Sequence, residues 1–269
     1  MPPNRQLLAC GMRLTFLGTG TSQGVPMIGC SCKVCLSSDP RDKRFRSSVW
    51  LQEGDFSCLI DTTPDLRLQA LRAGMHRLDA VVCTHSHNDH LIGFDDLRRF
   101  CDGRIEPLPI HCSPHTYERL LTVFPYAFDK NPVFQGYVRA KAHLFEGPFN
   151  LGPLRIVPVL VPHGNTPTYG FVIEKLGRRL AAYIPDCAKV TEEVASQLQN
   201  LPVLILDGLR DKPHSTHLTV AEAVEAGQRV KAGSTYLTHL THDISHAQRE
   251  REIPENVFLA YDGLELDLG

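Results

Sequence analysis

The sequence predicts a mixed α/β protein. Short apolar runs of strand character interleave with helical stretches along most of the chain, and one adjacent pair of runs reads as a hairpin. No repeat, low-complexity tract or linker divides the 269 residues, so one domain over 1–269 is expected.

The elements follow in order. Met12–Leu17 alternates apolar and polar side chains, the period of a half-buried strand. It ends in Gly18-Thr19-Gly20-Thr21-Ser22-Gln23-Gly24, whose spacing is neither a dinucleotide fingerprint nor a P-loop. This stretch reads equally as a plain turn and as a loop lining a site. Ser48–Gln52 and Phe56–Asp61, joined by Glu53-Gly54-Asp55, form the hairpin. Pro64–Ala73 predicts a helix with proline in its first turn. Leu78–Thr84 is a buried strand, Phe94–Cys101 a short helix and Leu108–His111 a strand. Strands are expected again at Leu154–Val161, Tyr169–Glu174 and Leu180–Ile184. Then come a helix at Glu192–Leu198, a strand at Val203–Asp207, a helix at Leu218–Val230 and a strand at Ser234–Thr238. Pro107 and Asn131-Pro132 mark loops.

Composition narrows the function classes. The net charge is −2, which argues against a protein that coats nucleic acid or an anionic membrane. No apolar run reaches the roughly 18 residues of a bilayer span. The opening MPPNRQLLACGMRL lacks a basic segment followed by a long apolar one, so no signal peptide is expected. Three of the nine cysteines cluster and six are scattered, at positions 10, 58, 83, 101, 112 and 187. That usage fits a reducing cytoplasm and a metal site, with the scattered six as buried small apolar residues.

The strongest chemical signal is Thr84-His85-Ser86-His87-Asn88-Asp89-His90. It sits at the C-terminal end of a strand. His85 and His87 fall on one side if the extended backbone continues, and Asp89 and His90 lie on the turn beyond. Imidazoles with a carboxylate suit Zn²⁺, Mn²⁺ or Fe, and four ligands exceed what one catalytic ion with an open position needs. Two metals follow. A second cluster, Cys30-Ser31-Cys32-Lys33-Val34-Cys35, offers three thiolates, one short of a closed tetrahedral zinc site. His242 is the natural fourth ligand, and it would close a loop of about 200 residues. His76, His111, His115, His143 and His246 belong to no constellation and default to surface or packing roles.

The H-x-H-x-D-H run resembles the hallmark of the metallo-β-lactamase superfamily. The resemblance implies an αβ/βα four-layer sandwich with further ligands at later strand ends. His163, Asp186 and His239 stand at those places. By similarity, His85, His87 and His163 hold one divalent metal, Asp89, His90 and His239 hold the other, and Asp186 bridges them. LGTGTSQGVP, GCSC-x-x-C and THLTH narrow the likeness to the PhnP-type phosphodiesterases of bacterial phosphonate breakdown, over about Thr15 to Leu266. Those enzymes open 5-phosphoribosyl 1,2-cyclic phosphate. The likeness implies a structural zinc on Cys30, Cys32, Cys35 and His242, and a catalytic histidine before a late helix. His217 matches that place, with His214 a weaker alternative.

The expected reaction is hydrolysis of a small anionic phosphodiester. Two active-site ions, Zn or Mn, would bring the pKa of a bridging water to roughly 7, and the hydroxide would attack phosphorus in line. His217 would then supply a proton to the leaving oxygen. Two other readings stand beside it. A ribonuclease Z-like nuclease shares the metal motif but normally carries a basic RNA-gripping arm. A non-catalytic metal-binding protein resembling pyrroloquinoline-quinone biosynthesis protein B shares the fold and a cysteine-rich site. Nucleic acid and membrane are not expected partners; a homodimer is compatible with the sequence. Arg98 or Arg99 could reach a phosphate, though solvated helix charge is the plainer reading.

Overall fold

The computed structural model describes residues 11–129 and 136–269. Cys10, the opening segment up to it, and Asn131-Pro132 lie outside the described residues. The chain builds β1 (Arg13–Gly18), β2 (Ser48–Glu53), β3 (Phe56–Ile60), β4 (Ala80–Val82), β5 (Leu108–Cys112) and β6 (Ala140–Leu144) into a first sheet. A second sheet takes β7 (Phe149–Leu151), β8 (Leu154–Val161), β9 (Thr168–Lys175), β10 (Arg178–Ile184), β11 (Val203–Asp207), β12 (Ser234–Thr238) and β13 (Val257–Leu259). The last strand, β14 (Glu265–Asp267), returns to the first sheet beside β1.

The two sheets are built alike. In the first, β14, β1, β2 and β3 pair antiparallel, and β3 to β6 pair parallel. In the second, β7 to β10 pair antiparallel, and β10 to β13 pair parallel. Their inner faces share one core: Leu14, Phe16, Val49 and Ile60 meet Phe171, Ile173, Tyr183 and Ile205. Helices cover both outer faces. Leu66, Phe94, Leu97 and Leu120 pack outside the first sheet, and Val194, Leu198, Ala223 and Ala226 outside the second. This is the four-layer arrangement that the motif implied, and alternation along each strand divides the two sides.

Local chemistry sets the element boundaries. The helix Glu192–Leu198, β11 and β12 fall where the sequence predicts them. The helix expected over 218–230 spans Val220–Arg229, because Thr219 caps it with Glu222 in a reciprocal capping box. Leu218 stays extended and accepts from Leu209 N (3.0 Å). The helix expected at 94–101 splits into a 3₁₀ segment, Ile92–Leu97, and a short α-turn, Arg98–Cys101. A helix at Pro114–Val123 was not anticipated. Ser113 caps it and Pro114 opens it, a start signal written in two residues. The short β6, β7, β13 and β14 also lie beyond the periodicity reading.

The glycine stretch after β1 is more than a turn. A Cβ on Gly18 would lie 1.9 Å from the Arg46 carbonyl oxygen, so only glycine lets the two strands approach. Gly20 then bridges both Arg46 and Leu240, tying the early loop to the chain beyond β12. Among the described residues, no helix is long and apolar enough to cross a membrane.

Candidate metal centre

The parallel halves of both sheets point their C-terminal ends at one place. Asp61 follows β3; His85 and His87 follow β4. Asp186 follows β10, Asp207 ends β11 and His239 follows β12. His163 arrives from β8, and Asp89 and His90 sit on the short helix Asn88–Leu91. Carboxyl ends of parallel strands are where open α/β sheets bind ligands, because loops diverge there and leave a crevice. His239 takes a left-handed backbone, φ 59°, as does Asp61, φ 69°. Such geometry is costly for a residue with a Cβ and turns each side chain out of its strand line.

All seven expected metal ligands converge. Ligating atoms of His85, His87, His163 and Asp186 lie within 4.8 Å of one another, as do those of Asp89, His90 and His239. Asp186 stands between the groups: Oδ1 is 3.1 Å from His90 Nε2, and Oδ2 is 3.5 Å from both His163 Nε2 and His239 Nε2. The donor set fits divalent metal. His85 Nε2, His90 Nε2, His239 Nε2 and Asp186 Oδ1 are buried without a hydrogen-bond partner. Leaving such atoms unpaired costs free energy that a cation would offset.

The fold aims these rings from behind. Asp61 accepts from Thr84 N and Thr84 Oγ1 (2.8 Å each) and pairs with His90 Nδ1 at 2.7 Å. Thr84 Oγ1 donates to Asp61 and accepts from His85 Nδ1 at 3.0 Å, so one carboxylate orients two histidines. His163 Nδ1 donates to the Thr216 carbonyl at 2.8 Å. Each bond turns the other ring nitrogen inward, the arrangement that orients metal-ligating histidines.

Electrostatics agree with ligation. Burial pushes His85, His87 and His163 below the usual histidine range, which keeps them neutral with lone pairs available. Burial alone would raise Asp186, but the charges of His239, His90 and His85 hold it well below the carboxylate range. His90 is the opposite case: burial opposes its charge, yet Asp186, Asp89 and Asp61 raise it well above normal.

His217 joins the same centre from the loop before the helix at 220–229. Its Nε2 lies 4.0 Å from Asp186 Oδ2, and its ring stacks on His239 at 4.7 Å between centroids. Its Nδ1 pairs with buried Asp207 Oδ2 at 2.7 Å. Asp207 also takes Cys187 N, and burial pushes its carboxyl well up. His214 stays exposed and bonds within its own loop to Thr216. The sequence reading missed Asp61 and Asp207. Each ends an apolar strand, the position His85 and Asp186 also occupy, so strand-end carboxylates were the available signal.

The thiol cluster is a separate place. Cys30, Cys32, Cys35 and His242 bring their ligating atoms within 4.8 Å of one another. His242 Nδ1 is 3.2 Å from Cys30 Sγ and 3.3 Å from Cys32 Sγ. The Cys35 and Met27 amides donate to Cys32 and Cys35 sulfurs. The Cys35 amide, with His242 and Cys30, lowers the Cys32 thiol to about 6, whereas burial raises Cys35 to about 11. Three sulfurs and one imidazole nitrogen are the donor types and number that a closed four-ligand metal site uses. Cys58, Cys83, Cys101, Cys112 and Cys187 are buried, as expected of apolar packing residues. His111 stacks between His143 and Phe149, and His246 is fully buried near Asp42. Arg98 and Arg99 turn to Asp95 and Asp102, the solvated reading of both.

Known proteins resemble this chain. Residues 57–240 match the model of the beta-lactamase superfamily domain. A solved diphosphatase from the PhnP family superposes with a TM-score of 0.86 at 41% identity, covering 95% of this chain and 96% of that one. An octanoyltransferase of Porphyromonas gingivalis is 36% identical over 94% of this chain, which spans only about half (51%) of that protein. Coenzyme PQQ synthesis protein B of Methylobacterium nodulans is 28% identical, over 82% of this chain and 79% of the relative.

Proposed function

Because the chain belongs to the metallo-β-lactamase superfamily, and within it to the PhnP family, we propose that this hydrolase acts on a small phosphodiester. The substrate would be a cyclic phosphate of the 5-phosphoribosyl 1,2-cyclic phosphate kind. Cleavage of one ester P–O bond by water would leave a phosphate monoester. The reading places the protein in the cytoplasm, acting on a soluble anion rather than on RNA or a membrane.

The observation that carries this reading is His217, held by Asp207 and aimed at the centre beside Asp186. Its Nδ1–H would donate to Asp207, and once protonated its Nε2–H would face the leaving oxygen. A poor alkoxide leaving group needs such a proton, and a sugar oxygen is one. His85, His87, His163, Asp186, Asp89, His90 and His239 would hold two divalent ions, Zn or Mn, and the ions supply charge for the phosphoryl oxygens and water acidified to roughly pKa 7. Asp186 would be shared between the two ligand groups, and Asp61 and Thr84 fix the angles of His90 and His85. Cys30, Cys32, Cys35 and His242 would hold one zinc with no open position, a structural role.

The PhnP-family diphosphatase favours a second substrate class, a diphosphate cleaved at its P–O–P bridge. One screen separates the readings: metal-replete protein against cyclic phosphates, diphosphates, linear dinucleotides and precursor tRNA, with metals counted. Turnover of a cyclic phosphate with three metals bound is expected. Faster cleavage of long RNA would put a ribonuclease in its place. One metal and no turnover would leave a binding protein like the PQQ synthesis relative.

A further inference from the structure

His85, His90, His163 and His239 are the buried histidines of the centre, and the first three have a partner for Nδ1. His85 Nδ1 meets Thr84 Oγ1, His90 Nδ1 meets Asp61, and His163 Nδ1 meets the Thr216 carbonyl. His239 differs. It is 2% exposed, and neither of its ring nitrogens has a hydrogen-bond partner among the described residues. A metal-ligating histidine almost always donates its second ring N–H, because that bond fixes the tautomer and the ring angle.

Two more unpartnered atoms belong to the same strand ends. Thr238 Oγ1 and Asp207 Oδ1 are buried without a hydrogen-bond partner among the described residues. Asp207 ends β11, Thr238 ends β12, and the two are Cα partners in the parallel pair, so their side chains leave the same face. Leu206 and Leu237, one residue earlier on each strand, pack outward, which turns Asp207 and Thr238 toward the first sheet. The Cys187 amide and His217 Nδ1 both bond Oδ2 of Asp207. Burial raises that carboxyl and the charge of His239 opposes the rise, so the two side chains lie within electrostatic reach.

The other half of the centre shows the same parts connected. Asp61 follows β3, and Thr84 and His85 follow β4. Thr84 Oγ1 donates to Asp61 Oδ2 and accepts from His85 Nδ1, while Asp61 also takes His90 Nδ1 at 2.7 Å. Asp207 takes His217 Nδ1 at the same 2.7 Å, and Thr238 precedes His239 as Thr84 precedes His85. Each half carries a carboxylate at the end of one parallel strand and a Thr-His pair at the end of the next.

We propose that Thr238 is a positioning residue whose hydroxyl, directly or through one bridging water, joins His239 Nδ1 to Asp207 Oδ1. The inference rests on the two-metal reading and deepens it. The chain of hydrogen bonds keeps the His239 proton on Nδ1 and frees the Nε2 lone pair for an ion. It also satisfies three buried polar atoms at once, each of which is costly to leave unpaired. Asp207 then steadies both His217 and His239, as Asp61 steadies His90 and His85.

The test is Thr238→Val, which removes the hydroxyl and keeps the branched shape. An asparagine at 207 would still offer the hydroxyl an acceptor, so the test falls on Thr238. Zinc-loaded protein is dialysed against graded dipicolinate, and retained metal is counted by elemental analysis. Thr238→Val should weaken metal binding at the centre about 10–100-fold, and Thr238→Ser should stay within about 3-fold of wild type. Thr235→Val is the control: its hydroxyl is also buried and unpartnered but faces outward under Gly227, so metal binding should not change. Proton NMR reads the bond without turnover. Wild type and Thr238→Ser should show a slowly exchanging ring N–H signal that is missing in both His239→Gln and Thr238→Val. If wild type holds no ion at the centre but the signal still depends on Thr238, the hydrogen-bond chain stands and the two-metal reading falls. Unchanged metal binding and an unchanged signal in Thr238→Val would overturn the proposal. So would an equal loss of metal in Thr235→Val, or the absence of the signal from wild type.

Discussion

The two ligand clusters lie three residues apart in the chain, at His239 and His242, yet they are held in different ways. In the histidine–carboxylate centre, hydrogen bonds from the surrounding fold orient the candidate ligands. Asp61, Thr84 and the Thr216 carbonyl each fix a ring, and the two sheets fix the strand ends. The thiol cluster has little such support. Its apolar backing is Val25, Val34 and Cys35 with a few half-buried neighbours, and Ile28 and Leu36 beside it are exposed. The contrast predicts different work for a metal in each place: chemistry in ready-made surroundings at the first, and support of the loop at the second.

The largest effect that could break this contrast is loss of the shared ligand. Asp186→Asn should abolish ordinary turnover, by about 10³-fold or more, since metal charge supplies several kcal/mol of transition-state stabilisation. Active-site metal should fall with it, while the thiol-bound zinc stays. Elemental analysis beside kcat reads both; retention of two active-site ions would remove Asp186 from the bridge. Next comes His217→Ala, with a loss of about 10²–10⁴-fold and near-normal metal content. The loss should shrink on an aryl phosphodiester, whose leaving group needs no proton. Metal lost with His217 would make it a ligand. Equal slowing on alkyl and aryl substrates would make it a positioning residue. Asp207→Asn should show a weaker form of the same pattern, about 10–100-fold.

Those residues also show what a sequence discloses. His85, His87, Asp89 and His90 were legible because four ligand types crowd one strand end. His163, Asp186 and His239 are single residues, legible only through family order. Asp61 and Asp207 were silent, because a lone aspartate after an apolar run has many uses. Their role exists only once β3 and β11 bring them behind His90 and His217. Strands with strong apolar character, such as β11 and β12, could be placed to the residue. The three-residue β7, β13 and β14 could not, because their pairing partners rather than their own period define them. The helix at 114–123 was legible too: Ser113-Pro114 announces its start, and Tyr117, Leu120 and Val123 form its buried face.

The thiol cluster should fail the other way round. Cys32→Ala removes one of four ligands from a loop with little core of its own. Zinc should be lost and the melting temperature should drop by roughly 10 °C, the shift expected for about 3 kcal/mol in a chain of this size. Turnover per folded molecule should change little, because Asp61 and Thr84 do not depend on the loop. A variant with unchanged zinc and melting temperature would contradict the structural role. One with normal stability and collapsed turnover would merge the two sites into a single functional unit.

The smallest effect concerns what fastens that loop without metal. Thr19 and Phe45 bracket the excursion that carries the cysteines, and both meet one carboxylate. Thr19 Oγ1 donates to Asp262 Oδ1 at 2.7 Å, and Phe45 N donates to Oδ2 at 2.8 Å, with Arg72 3.2 Å away. The Asp262 side chain is only 2% exposed. Burial raises it from 3.8 to about 6, against the Phe45 bond, the Arg72 charge and the Thr19 bond. The folded protein therefore holds this proton more tightly than the unfolded chain does. The contribution is fully present below about pH 4 and is lost as pH rises through 6. Asp262→Asn keeps the shape and removes the titration. The stability difference between wild type and variant should shift by on the order of 2 kcal/mol in the variant's favour from pH 4 to pH 7.5. Urea unfolding of both metal-loaded proteins at the two pH values reads the difference, in which every shared titration, including that of the zinc thiolates, cancels. Parallel pH curves would mean that Asp262 is ionised at its ordinary pKa. The base of the loop would then be held by a plain ion pair with Arg72.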